Sequence, residues 1–387
     1  MRFKRFLALA AAAVMTAGSA YTLQPVSAVS DDSLADFSEK WADKFFEGYQ
    51  TEISDNTYKS HDLNIRIDRY QTNRMTGDVD ENGVVEIADV VLALRYQAED
   101  AVSISSTGLM NADVDEDEMF TASDTAQMMC WLSGSITDEE FFVNHKLVWF
   151  VIDFYIRNME NFRGAFAQGT YPENNKQVDS IENMANQNNA MFAINCDYCG
   201  FRKNGVIIRN GVTYQSAYRG DICLLYKNGV MDIVRHTDYL NMSDDEKSQI
   251  WQSVSFAPAL VMDGEVNKNL KRERVRDTVN NLHPRSGIGY FEPGHYCFIQ
   301  VEGRQPDYSI GIYYPEYAQM FKDLGCVEAF NMDGGSSSVI AFDGKQYNKP
   351  AWSGRKTSDI LYLVDSADIL PDTAAAAWLE KQATEEE

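Results

Sequence analysis

Residues 329–338, AFNMDGGSSS, put an amide, a carboxylate, two glycines and three hydroxyls into one short run. The apolar stretch before them reads as a strand that empties into a tight loop. Gly334 and Gly335 are expected there to take positive φ and let the backbone come close to a ligand. Successive amide N–H groups in such a loop make a concave nest for an anionic oxygen, with Asp333 at its rim. Alone, Asp-Gly-Gly-Ser is ordinarily a β-turn. Three arginines change that reading: Arg285 follows Pro284, Arg304 follows Gly303 and Arg355 follows Gly354, each at the boundary of an expected strand. An arginine fork matches a phosphate diester bidentately, so nest and arginines in one domain point to a bound phosphodiester.

A second set of residues has different chemistry. Asp78, Asp80, Asn82 and Asp89 hold positions 1, 3, 5 and 12 of a loop with Gly83 at position 6, and Asp113, Asp115, Asp117 and Asp124 repeat the spacing 35 residues later. Hard oxygen ligands at these offsets wrap Ca²⁺, with the carbonyls of Val84 and Met119 as the position-7 ligands. From 76 to 134 there are 13 acidic residues and one basic one, Arg95. An apolar helix follows each loop.

These residues need elements to carry them. The chain has 387 residues and a formal charge of −24, which argues against nucleic acid as a partner and agrees with cation binding. A basic start and an apolar run to about Ala20 read as a secretory leader, cleaved after Ala28, so the protein is expected outside the cell. No later stretch is long and apolar enough to be read as a membrane span. Leu34, Phe37, Trp41, Phe45 and Phe46 recur at helical spacing and predict an amphipathic helix through about Tyr49. Residues 56–75 read as a connector with a short strand at 63–67. The organisation expected is a leader at 1–28, a helical and connector segment at 29–75, the calcium module at 76–134, a linker at 135–145, a second domain at 146–365 and a mobile acidic tail at 366–387. The linker implies separate folding units. The fold class is α+β: a mixed, strand-rich second domain with a few helices, beside a small all-α duplicated calcium-loop module. In the second domain the pattern predicts buried strands at 147–156 and 190–194, a helix ending near Asn186, hairpins at Asn204-Gly205 and Asn210-Gly211, and a helix at 314–324 leading into the glycine loop. Asn195 and Asp197 leave the end of the 190–194 strand. Cys196 and Cys199 form a CxxC without the second pair that zinc would need; a redox site is one reading, and export favours a structural disulfide with either close or distant partners. No HExxH or GxSxG occurs.

The duplicated loops resemble a type I dockerin, the module that plugs exported enzymes into a cohesin-bearing scaffold, as in cellulosomes. That resemblance implies bound calcium and a cohesin partner contacted at Ile87-Ala88 and Ala122-Ser123; Glu118 stands where loop two would have its glycine. Residues 146–365 resemble the phosphodiester glycosidase family through AINCDY, SFAPALVMDG, HPRSGIGY, VEGR, LGCVEAFNMDGGSSS and GRKTSDILY, in the family's order. By that resemblance Asn195, Asp197, Arg285, Arg304, Asn331, Asp333, Gly334, Gly335 and Ser336 fall on pocket positions, and Arg355 joins them as a substrate-binding candidate. Cys196, Ser336 and Glu302 depart from the usual residues. The implied activity is release of a sugar from a sugar-1-phosphodiester of an extracellular glycan, with Asp333 and Asp197 both candidates for nucleophile or base. Cleavage on the P–O side, giving a sugar-1-phosphate, and a non-catalytic glycan-binding module are the alternatives.

Overall fold

The structure is a computed structural model that describes residues 33–115, 119–141, 144–173, 176–217, 220–270, 282–306 and 308–385. The leader at 1–28 lies outside these residues, as do Asp117 and Glu118 of the second acidic loop. The fold is mixed α+β and strand-rich.

Alternation in Leu63, Ile65 and Ile67, all buried, makes the strand Leu63–Met75 a half-buried one. It runs antiparallel to Asn144–Ile156 over its whole length, from Leu63 opposite Ile156 to Met75 opposite Asn144. That second strand is apolar on both faces because both are covered. Among the described residues the sheet they join has nine strands, continuing through His295–Val301, Arg285–Glu292, Glu328–Asn331 and Ala259–Met262. One face packs Ile65, Ile152, Phe154, Phe298 and Phe330 against Phe192, Ile194, Leu361 and Leu363 of a five-stranded antiparallel sheet. The other face packs Cys297, Ile299 and Val301 under Tyr317 and Phe321 of the helix Tyr314–Leu324. Pro315 opens that helix, and Gly325 ends it in the left-handed region at φ 88°. It delivers the chain into Glu328–Asn331 in the middle of the large sheet, so the glycine loop issues from a rigid strand. No helix among the described residues is long and apolar enough to cross a membrane.

The domain limits differ from those read in the sequence. The connector is no spacer. Its strand Leu63–Met75 belongs to the large sheet, and the acidic module is inserted between two neighbouring, paired strands. The residues expected as a linker hold the short helix Asp138–Phe141 and the start of the next strand. Within the module, the helices Ile87–Gln97, Ser106–Ala112 and Ala122–Leu132 surround Val79, Val90, Ala93, Val114 and Met128. Helix Ser106–Ala112 leans on helix Tyr314–Leu324: Met110 joins the core beneath that helix, and the Ser106 amide donates to Asp323 Oδ2 at 3.3 Å.

The amphipathic helix expected through Tyr49 is absent; only the 3-10 turn Ala42–Lys44 forms. The aromatic residues that suggested it form an irregular strap instead. Phe37 packs into the main core, and Trp41 Nε1 donates to Pro293 O at 3.0 Å across the hairpin turn. At the other end, where a mobile tail was expected, the helix Thr373–Glu385 docks through Trp378, which meets Tyr171 edge-to-face and Tyr214 at a tilt and donates to Thr213 O at 3.0 Å.

Candidate active site

Two strand ends from different sheets meet. The Asn195 side-chain amide donates to Asp333 O, and the Asp333 amide donates to Cys196 O at 2.8 Å. Ser286 Oγ lies 2.9 Å from Asn195 Oδ1 and 2.8 Å from Gln300 Oε1, and the Met332 amide donates to Ser286 O at 2.8 Å. Asn195 therefore fixes the junction between the sheets. Asn331 is buried, donates to Ala257 O at 2.8 Å and to Tyr314 Oη at 3.1 Å, and keeps an Oδ1 with no hydrogen-bond partner among the described residues.

The loop after the junction confirms one glycine expectation and corrects the other. Gly335 has φ 66°, but Gly334 has φ −127°, an ordinary extended value. Gly334 is needed for another reason: a Cβ there would stand 2.8 Å from Pro284 O, the same carbonyl that accepts from the Gly335 amide at 2.9 Å. At Gly335 a Cβ would stand 2.9 Å from Arg304 Nη1. The guanidinium thus lies directly over the glycine turn.

Arg304 and Arg355 meet this loop, and the charge of Arg285 reaches Arg304. Arg304 has Nη1 3.5 Å from Ser336 Oγ, and its Nε donates to His283 Nδ1 at 3.3 Å. Burial lowers its pKa, and the charges of Arg285 and Arg355 lower it further, so the three cations feel one another. Arg285 is buried, donates to Ile312 O at 3.2 Å and lies over the Tyr314 ring at 3.8 Å. Arg355 donates through Nε to Ser337 Oγ at 2.9 Å and through Nη2 to Asp333 Oδ2 at 3.0 Å, with the Tyr198 ring 4.3 Å away. Arg355 pairs with the Asp333 carboxylate, while Arg304 and Arg285 add their charges nearby, so the site carries positive charge for an anion. Burial pushes the Asp333 carboxyl above its usual range, opposed by Arg355 and a hydrogen bond from Ser337. His283, between Arg285 and Arg304, is held neutral: burial and then those two charges lower its pKa to about 4.

Asp197, between Cys196 and Tyr198 at the edge of this site, is engaged with another cation. It is 2 % exposed, its Oδ2 accepts from Arg209 Nη2 at 3.0 Å, and its Oδ1 accepts from the Ser255 amide at 2.8 Å. Asp359 shares the same guanidinium at 2.7 Å and takes the Asp197 amide at 3.1 Å. Burial raises the Asp197 pKa, and Arg209 pulls against it. Cys196, Asp197 and Asp359 lie close enough together to hold a metal, but Arg209 already supplies the cation, with Nη2 3.2 Å from Cys196 Sγ. The six thiols are all free, which corrects the disulfide expected for Cys196 and Cys199. Sequence reading missed Arg209, Asp359, His283 and Ser337. An arginine inside the apolar run GVIIR and an aspartate opening the last strand were the available signals.

In the acidic module, carboxylate oxygens of Asp78, Asp80 and Asp89 lie within 4.8 Å of one another, as do those of Asp113, Asp115 and Asp124. The loop-closing residues match: Asp89 Oδ1 accepts from the amides of Val79 and Asp80 and Asp124 Oδ1 from those of Val114 and Asp115, at 2.7–3.2 Å. In loop one, Asn82 Nδ2 donates to Asp80 Oδ2 at 3.0 Å and Val84 follows at the outer edge. Three converging carboxylates and a burial-raised Asp78 fit a divalent cation. Met119, at position 7 of loop two, is described; Asp117 lies outside the described residues.

Residues 182–364 match the phosphodiester glycosidase family and residues 76–132 the dockerin type I domain. A curated relative, the SPbeta prophage-derived uncharacterized protein YomE of Bacillus subtilis (strain 168), is 29% identical over 181 residues, which is 44% of this chain and 27% of that protein. The chain thus spans about a quarter of that relative's length. Among solved structures, the chain is similar to the zebrafish N-acetylglucosamine-1-phosphodiester alpha-N-acetylglucosaminidase catalytic domain auto-inhibited by its pro-peptide. The identity is 19%, coverage 59% of this chain and 80% of that one, and the TM-score 0.49. It is also similar to a hypothetical protein from Synechocystis, at 13% identity, 57% and 61% coverage and a TM-score of 0.44.

Proposed function

From a chain that carries a phosphodiester glycosidase domain and a dockerin type I domain, we propose an exported hydrolase. It releases a sugar from a sugar-1-phosphodiester on an extracellular or cell-surface glycan and is held on a scaffold by a cohesin. The observation that carries the reading is the meeting of Arg304 and Arg355 on the loop bearing Asp333, with the charge of Arg285 near enough to lower the Arg304 pKa.

Breaking a sugar C1–O bond normally needs an acid to protonate the leaving oxygen and support for an oxocarbenium-like centre. A phosphate monoester is already a stable anion near neutrality, with a second pKa of about 6, so the need for an acid falls. The arginines stabilise charge as it grows on the departing phosphate, because the amides of Asp333, Gly335, Ser337 and Ser338 are already donated to carbonyls. Asp333 serves the sugar side as nucleophile or base. Asp197 is reassigned from catalysis to positioning: with both oxygens engaged in the buried Arg209 group, it holds the strand end that bears Asn195. Asn331, Gly334, Gly335 and Ser336 shape the loop beneath the guanidinium groups, and Arg355 links it to Asp333. Asp78, Asp80 and Asp89, with Asp113, Asp115 and Asp124, would hold calcium, which would supply a cross-link that helps fold the module.

Incubation with synthetic sugar-1-phosphodiesters, followed by NMR of the products, tests the reading. Free sugar plus a phosphomonoester is expected. Sugar-1-phosphate would place the cleavage on the P–O side, and binding without turnover would leave a recognition module.

A further inference from the structure

Cys297 and Cys326 come from different elements and end side by side. Cys297 lies in the strand His295–Val301, opposite Gly289 of Arg285–Glu292 and Asp153 of Asn144–Ile156. Cys326 is the second residue after the helix Tyr314–Leu324, where the Gly325 turn at φ 88° sends the chain toward the strand Glu328–Asn331. The two Sγ atoms are 3.6 Å apart, at van der Waals contact, and the residues are 0 % and 2 % exposed. Gly289 makes the space for them. A Cβ there would stand 2.7 Å from Cys326 Sγ and 2.8 Å from Cys297 Sγ, so the sulfurs fill the volume that a side chain at this position would take. Other thiols are placed differently: Cys196 Sγ lies 3.2 Å from Arg209 Nη2, and Cys130 is exposed on the acidic module.

We infer that Cys297 and Cys326 are an oxidisable pair, free thiols in this structure and joined as a disulfide when the chain meets a small disulfide oxidant such as oxidised glutathione. One cysteine, as thiolate, attacks a sulfur of the oxidant and displaces a thiol. The second attacks the resulting mixed disulfide and displaces the other. Two protein thiols are oxidised, the small disulfide is reduced, and the two protons end on the thiols released. From 3.6 Å the sulfurs have roughly 1.5 Å to close to reach the S–S bond length of about 2.05 Å. Burial and the adjoining Cys326 thiol push the Cys297 thiol up, so thiolate is scarce in the closed fold and the exchange goes through local opening or accompanies folding. The strand Arg285–Glu292 lies between His295–Val301 and Glu328–Asn331 in the large sheet, so the bond crosses it at Gly289. The loop it closes carries Arg304 and the whole helix Tyr314–Leu324. The bond is thus a staple on the segment that leads to Asp333, and it acts by restricting the unfolded chain. It does not depend on the chemistry proposed for Asp333.

The test uses the purified full chain, kept with oxidised glutathione at a urea concentration just below its unfolding transition, so that buried thiols open transiently. After dilution, free thiols are blocked with iodoacetamide and the digest is mapped by mass spectrometry. A pair of peptides joined through Cys297 and Cys326, two hydrogens lighter than the reduced pair, is expected, and dithiothreitol is expected to separate it. The oxidised protein is expected to melt roughly 3–8 °C above the reduced one, with the same circular dichroism. Cys297→Ala and Cys326→Ala are each expected to remove that difference. Both cysteines recovered blocked, or either one joined to a different cysteine, would overturn the pairing, and this map is read on the unaltered protein whatever the variants do. A link that leaves the melting temperature unchanged, or a difference that survives in Cys326→Ala, would overturn the staple.

Discussion

Asp333 is a buried carboxylate paired with Arg355, and the substitution Asp333→Asn keeps its shape while removing charge, basicity and nucleophilicity. Turnover of a sugar-1-phosphodiester is expected to fall on the order of 10³-fold or more while binding persists, because nest and arginines remain. Near-wild-type turnover in a folded Asp333→Asn protein would show that this aspartate is only a turn residue. Arg304→Lys keeps a charge but loses the fork that spans Ser336 and His283, so kcat/KM is expected to drop by roughly 2–4 kcal/mol in transition-state terms. Kinetics unchanged by the lysine would take Arg304 out of the site. His283 sets a pH dependence. Its folded pKa is about 4 against about 6.5 unfolded. Between those values the unfolded chain binds the extra proton, so stability falls as pH drops from about 6.5 to about 4. His283→Gln should flatten that part of a plot of melting temperature against pH; an unchanged slope would assign the loss to other groups. Much of the site was legible at this scale because arginine beside glycine or proline at a strand end is a local pattern. The Asp197–Arg209–Asp359 group was not, since its members come from three separate strands or strand ends and only the fold brings them together.

Among the elements, the loop 333–338 works because two adjacent glycines meet two different obstacles. Gly334→Ala drives a methyl into Pro284 O, a backbone atom with nowhere to go, and is expected to destabilise the protein by about 1–3 kcal/mol. Gly335→Ala meets the end of the Arg304 side chain and a φ of 66°, so it should displace the guanidinium and weaken anion binding with a smaller loss of stability. Denaturant melts and phosphate titrations of both variants check this, and equal behaviour would contradict it. The helix Tyr314–Leu324 and the strand Asn144–Ile156 could be read from sequence because periodicity, a proline start and a glycine stop agree with their burial. The strand Leu63–Met75 was visible only in its first half. Beyond Ile67 its side chains turn polar, and it stays a strand because Asn144–Ile156 pairs with it to the last residue. The aromatic residues of 34–46 misled for the same physical reason: tertiary contacts with the 293–295 turn outweigh a weak helical preference.

Across the whole molecule, the insertion ties the module to the pocket-bearing domain. Met75 and Asn144 form the last rung of a ladder whose closing loop is the module itself. With the module unfolded, that ladder would have to be closed by a loose loop of roughly 70 residues, at an entropic cost on the order of 4 kcal/mol. Chelating calcium with EGTA is therefore expected to lower the melting temperature of the pocket-bearing domain as well as that of residues 76–134. Hydrogen exchange resolved by peptide separates the two, and a domain that keeps its protection while the module loses it would show that they are independent. None of this was legible in the sequence, where a module between two polar stretches looks like a bead on a string. Pairing between residues 63–75 and 144–156 is long-range and leaves no local mark. A bead on one string can swivel, but a bead mounted at two points cannot, and the lean of helix Ser106–Ala112 on helix Tyr314–Leu324 adds a third. A scaffold that grips this module would therefore aim the catalytic mouth as well as deliver it, and the angle of that aim would be written into the rungs at Met75 and Asn144.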